Sequence, residues 1–144
     1  MARLKLEIPE KFLGMFSIPV RISDINYGNH LGNDAIVSIA HEARVQLLKK
    51  FNSTELEVFG TSLIMSELLV EFKAESFYGD VLQVKIYAGE ISKFSFELFY
   101  VLSTQRDNLS IAVANAKTGL ICFNYKKKKI EAVPEELKKI LLGH

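Results

Sequence analysis

Apolar and polar positions alternate in long runs through the second half of the chain. In Val81–Ala88, Leu82, Val84, Ile86 and Ala88 fall on one face, with Gln83 and Lys85 on the other. This is the two-residue period of a half-buried strand. Ser62–Phe72 is rich in Leu, Ile and Val, and Phe94–Leu102 is apolar on both faces, as a central strand is. Ser110–Tyr125 is a long run with Gly119 inside it, which predicts a bulge or bend at that residue. Phe16–Ile22 reads as an earlier, first strand. Turn chemistry separates the later strands at Ser76–Asp80, Gly89–Lys93 and Gln105–Asn108.

Between the first strand and the other four the period changes. Over Ala35–Lys50, Ile36, Ile39, Ala40, Ala43 and Leu47 recur at three- and four-residue steps, which predicts a helix with one apolar stripe. Asn33 or Asp34 is the expected N-cap, and Lys49 and Lys50 suit the negative end of the helix dipole. The stripe is rich in small residues, and Val37 and Val45 widen the apolar surface, so a sheet is expected to wrap this helix. Pro134 opens a short amphipathic helix, Glu135–Leu142.

One strand, a helix, then four strands imply an α+β domain with an antiparallel sheet, here a single domain over 1–144. One helix cannot cover both faces of a five-stranded sheet, so a second copy of the chain is expected on the other: a homodimer or homotetramer. The net charge of +1 gives no support to a nucleic-acid partner. The single cysteine, Cys122, lies in an apolar run and reads as a small core residue. Charged residues from Arg3 to Lys11 interrupt any signal-peptide core, and no apolar run is long enough for a bilayer. A cytoplasmic protein without a membrane partner is the expectation.

The segment Ser23–Asp34 holds two glycines, three asparagines and two aspartates, the composition of a structured loop. From Val20 to Asn33 the chain reads Val-Arg-Ile-Ser-Asp-Ile-Asn-Tyr-Gly-Asn-His-Leu-Gly-Asn. This resembles the signature of the 4-hydroxybenzoyl-CoA thioesterase-like and acyl-ACP thioesterase-like families, a strand, Asp-x-Asp, a Gly/Asn turn and the long helix. His41-Glu42-Ala43-Arg44 is similar to their mid-helix Glu-x-Ala-Arg pattern, and Phe72 with Phe77-Tyr78-Gly79-Asp80 to a turn between strands. The resemblance spans nearly the whole chain. It implies the hot-dog fold, a five-stranded antiparallel sheet wrapped around one long central helix, and hydrolysis of acyl-CoA or acyl-ACP thioesters without cofactor or metal. Two other readings keep the fold: a non-catalytic protein that binds acyl thioesters or lipids, and an acyl-thioester hydratase or dehydratase.

The resemblance also places the chemistry. The second acid of the Asp-x-Asp pair, the catalytic carboxylate of these relatives, aligns with Asn26, which cannot act as a base but can orient a water or donate to a carbonyl. His30 is the first candidate for general acid or base, because imidazole titrates near neutrality. Asp24 is either a base, a partner that orients His30, or an Asx-turn anchor. Glu42 either substitutes for the missing acid or pairs with His41 or Arg44; His41 and His144 carry no functional expectation. Tyr27, Gly28, Gly32, Asn33 and Asp34 are the expected substrate-binding residues, with free N–H groups from Gly32 to Ala35 polarising the thioester carbonyl. Leu63, Met65, Phe94 and Phe96 are candidates to line the acyl slot. Lys126–Lys129 is the only basic cluster and the candidate for carrier phosphates.

Overall fold

The computed structural model describes residues 4–143, so His144 and Arg3 lie outside it. The elements are β1 (Lys11–Pro19), α1 (Asn33–Lys49), β2 (Ser62–Phe72), β3 (Val81–Ile91), β4 (Ser95–Arg106), β5 (Leu109–Asn124), β6 (Lys129–Ile130) and α2 (Glu135–Leu142). All pairings are antiparallel, in the order β1-β3-β4-β5-β2, with the two-residue β6 added beside β5. The sheet therefore has six strands rather than five, and the hot-dog architecture stands.

Helix α1 buries Ala35, Ile36, Ile39, Ala40, Ala43 and Leu47, which join Phe16, Ile18, Leu82, Val84, Ile86, Leu98 and Leu102 in one core. Ala43 is completely buried. Small side chains let a helix approach a curved sheet closely, which is the reason for the small-residue stripe. Val37 is half-buried and Val45 exposed, so the apolar surface of the helix is one stripe only.

Several boundaries and one local feature depart from expectation: β3 and β4 run three and four residues further, to Ile91 and Arg106. The first strand is Lys11–Pro19, not Phe16–Ile22. Pro19 has no N–H for the ladder, and Ile22–Asp24 coils into a single 3₁₀ turn with Ile22 facing solvent. The N-cap of α1 is Gly32, with Asn33 and Asp34 already helical and no side chain bonding the first turn. Gly119 carries no bulge; the register slip lies opposite it, between Met65 and Glu67 of β2. Ser66 Oγ donates to the Gly119 carbonyl at 3.2 Å, and an added Cβ at Gly119 would meet that hydroxyl at 3.2 Å. The glycine makes room for its neighbour's bulge. The Asp107-Asn108 turn is as expected: both residues have positive φ, 52° and 63°, as a tight twisted hairpin requires.

Cys122 is fully buried, and burial with the nearby Glu131 charge pushes its thiol up to about 11. It is a core residue.

On the outer face of the sheet, Phe99 is only 8% exposed. Its ring lies over Gly89, where a Cβ would sit 2.6 Å from the ring and 2.9 Å from Glu97. We expect Gly89→Ala to destabilise the fold by about 1–3 kcal/mol through displaced packing. Chemical denaturation measures this, and an unchanged midpoint would count against the close approach.

Candidate active site

Asp24 fixes the loop after β1. Its carboxylate accepts the Arg21 backbone N–H at 2.8 Å and the Arg21 guanidinium at 3.2 and 3.3 Å. Burial pushes the carboxyl up, but the Arg21 hydrogen bonds and charge outweigh it and hold it below its ordinary value of 3.8. Asn26 shapes the next turn. Its Oδ1 accepts the N–H of Gly28 at 2.9 Å and of His30 at 3.3 Å, while its own N–H donates to the His30 carbonyl. Asn29 closes this turn with φ 67°, a conformation asparagine adopts more readily than most residues.

The loop is then stitched to the β2–β3 connection. The Leu31 N–H donates to the Ser76 carbonyl at 2.8 Å, and the Gly32 N–H to the Asp24 carbonyl at 2.9 Å. Across the connection, the Asp80 carboxylate accepts the Ser76 hydroxyl at 2.7 Å, the Phe77 N–H at 2.9 Å and Arg106 Nη2 at 2.7 Å.

A cleft of about 300 Å³ opens between these two segments. Asn26, His30 and Asn33 form one wall, Phe72–Ser76 the other, and Leu31, Ile36 and Val113 complete the lining. His30 Nε2 lies 3.5 Å from Glu75 Oε2, with the His30 side chain 37% exposed. The His30 ring meets the Phe77 ring edge-on at 5.9 Å. Only part of the expected N–H array is open: Gly32 and Ala35 bond within the loop and first turn, while the N–H groups of Asn33 and Asp34 have no partner among the described residues. Asn33 borders the cleft.

The geometry thus gathers His30, Asn26 and Asn33, and leaves the other candidates elsewhere. Asp24 is committed to Arg21 and does not touch His30; the carboxylate beside the imidazole is Glu75. Sequence reasoning missed Glu75 because it lies 45 positions along the chain from His30 and belongs to no motif; the loop chemistry of residues 76–80 just after it was the only signal. Glu42 is exposed, bonded by Gln46 at 3.0 Å, in a separate groove of about 310 Å³ between β1 and α1. It does not pair with His41 or Arg44, because both of these turn to Glu55 in the loop after α1. Tyr27 is fully exposed; Gly28 and Gly32 belong to the loop and Asp34 to the first turn of α1, and none of them lines the cleft.

The acyl slot also differs. Leu63 and Phe96 pack with Leu137 and Leu141 of α2, around an enclosed space of only about 10 Å³. Phe94 and Met65 are partly exposed at the surface. The apolar lining of the cleft is instead Leu31, Ile36, Phe72 and Val113. Lys126–Lys128 lie in the β5–β6 turn and Lys129 opens β6, at the Ser62 end of β2, whereas the cleft is at the Phe72 end. Within the chain the two are roughly 30 Å apart at the rise of a strand. Among the described residues no three His, Cys, Asp or Glu side chains cluster to hold a metal, and no helix is long and apolar enough to cross a membrane.

The acid dependence of the loop follows from its two depressed carboxylates. For Asp80, burial pushes up, and Arg106, Ser76 and the Phe77 N–H pull further down. A folded pKa below the unfolded one adds stability above the unfolded pKa, lost as pH falls through the folded one. We therefore expect the melting temperature to hold above about pH 5 and to fall below about pH 4. In Asp24→Asn part of that fall should vanish in a thermal-denaturation series, and an identical pH profile would remove Asp24 from the account.

The thioesterase-like superfamily model matches residues 20–141, and the chain belongs to that superfamily. Its class is that of the thioester hydrolases. An Aquifex aeolicus protein named "Putative esterase" is 28% identical over 102 residues, covering 69% of this chain and 75% of that one. The 1,4-dihydroxy-2-naphthoyl-CoA thioesterase of Synechocystis superposes with a TM-score of 0.79 at 18% identity, covering 90% of this chain and 97% of that one. The Dynemicin thioesterase superposes at 0.80 with 13% identity, covering 92% and 96%.

Proposed function

We propose that the chain hydrolyses acyl thioesters carried on coenzyme A or acyl carrier protein, in the cleft beside His30. The approach of His30 to Glu75 at that cleft carries the reading. Water adds its oxygen to the acyl carbon as His30 takes the water's proton. The C–S bond then breaks and His30 returns the proton to the leaving sulfur, so free acid and thiol form with atoms and charge balanced. Glu75 holds the ring and stabilises the imidazolium while it exists. The Asn33 N–H at the start of α1 faces the developing oxyanion, and Asn26 supplies an amide donor from Nδ2. Leu31, Ile36, Phe72 and Val113 receive the start of the acyl group. Asp24 serves by holding the loop.

Asn26 favours a second reading, a protein that binds acyl thioesters without cleaving them. No carboxylate stands at its position, and its carbonyl is already used by the loop. The test is thiol release from short, long and aromatic acyl-CoAs and an acyl-ACP. Release from any of them supports hydrolysis. Tight binding by calorimetry with no release from the panel overturns it in favour of the binder.

The working unit is a homo-oligomer. Strand β2, eleven residues long, is an edge of the sheet, and Phe12 and Met15 stand exposed on the uncovered face. Light scattering should give two or four times the 16.3 kDa chain mass; a particle of 16.3 kDa would refute this.

A further inference from the structure

We propose that Arg106, at the end of β4, is a positioning residue for His30 and acts through Phe77 and Asp80. The Arg106 guanidinium lies 5.0 Å from the centre of the Phe77 ring, and the same ring meets the His30 ring edge-on at 5.9 Å and 76°. The same guanidinium bonds Asp80 at 2.7 Å and reaches the Glu75 carbonyl at 3.5 Å. Asp80 in turn holds the N–H of Phe77 and the hydroxyl of Ser76, whose carbonyl receives the Leu31 N–H next to His30. One cation thus fixes both neighbours of the imidazole: the aromatic ring on one side, and the backbone that presents Glu75 on the other.

The arrangement is not the cheapest way to end a strand. Arg106 Nε is buried with no partner among the described residues, and a buried donor left unpaired is unfavourable. Arginine is the residue that can stack flat on an aromatic face and pair with a carboxylate at the same time; lysine carries the charge without the planar fork. The hairpin turn Asp107-Asn108 directly follows, so the β4 end that carries Arg106 is itself held by a tight turn. A loop histidine that is 37% exposed would otherwise sample several rotamers.

The catalytic consequence rests on His30 being the acid–base group; the positional consequence does not. The experiment compares wild type, Arg106→Met, Arg106→Lys and Phe77→Leu, each checked for folding by circular dichroism. The imidazole carbon-bound protons of His30, assigned with His30→Gln, report position by NMR through the Phe77 ring current. We expect Arg106→Met to move these signals toward those of Phe77→Leu and to lower kcat for thiol release about 10- to 100-fold with little change in KM. Arg106→Lys should recover part of both effects. Unchanged His30 signals in folded Arg106→Met overturn the inference, whatever the activity. Shifted signals with unchanged kcat, in an enzyme that His30→Ala inactivates, overturn the catalytic half alone. If His30→Ala stays fully active, the proposed function fails while the positional result stands on the NMR.

Discussion

Replacing His30 by alanine should lower kcat/KM for thioester hydrolysis by about 10²- to 10⁴-fold, the usual worth of a positioned acid–base group. At 25 °C that is about 3–5 kcal/mol of barrier. The fold should survive, because the ring is partly exposed and the loop is held by main-chain bonds at Asn26, Leu31 and Gly32 rather than by the imidazole. Glu75→Gln should do less, about tenfold, since glutamine can still accept from the ring but cannot balance the charge of the imidazolium. A steady-state comparison on one good substrate, with melting curves alongside, decides the matter. Full activity in His30→Ala would exclude the imidazole as the proton carrier, and would return attention to Asn26 and an ordered water.

The largest effect on stability should come from Arg44, which faces the other way from α1. Its side chain is 6% exposed, with Nη1 donating to the Tyr100 hydroxyl at 3.0 Å and Nε to Glu55 at 3.1 Å. Tyr100 is completely buried and also meets the Thr118 hydroxyl at 2.7 Å. Burial pushes the Tyr100 hydroxyl above its ordinary value of 10.0 although the Arg44 charge opposes it, so the tyrosine stays neutral and accepts from arginine as it bonds threonine. This network ties mid-helix to two central strands and to the loop after α1. Arg44→Ala removes the tie, opens a cavity and leaves Glu55 half-desolvated. We expect a loss of about 3 kcal/mol. Arg44→Met refills the space and should lose less. The chain has no tryptophan, so urea denaturation followed by circular dichroism is the suitable measurement. A shift of a few tenths of a kcal/mol in Arg44→Ala would mean that the network is solvated rather than structural. Arg44 lies about three helical turns from the cleft-lining Asn33, so kcat should change little well below the melting temperature.

The element order, the long strands and the loop were legible because each is a local matter. Leu82, Val84, Ile86 and Ala88 alternate because one face of a strand is dry, and Ile36, Ala40, Ala43 and Leu47 repeat because one stripe of a helix is. Asp107-Asn108 turns tightly because both residues tolerate positive φ. The resemblance of Val20–Asn33 led to His30, which does border a cleft. The boundaries at Pro19 and Gly32 were misplaced by a few residues, because a missing donor and an N-cap without side-chain bonds leave weak signals.

What the sequence by itself determined about this protein is therefore the set of elements, the hot-dog arrangement and the loop that carries the histidine. The tertiary structure alone decided which distant charges meet: Glu75 rather than Asp24 beside His30, Glu55 rather than Glu42 for Arg44 and His41, and Arg106 behind Phe77. These partners are separated by 11 to 45 positions along the chain. Strand order and register bring them together, and those depend on how the whole apolar surface is buried, not on any local pattern.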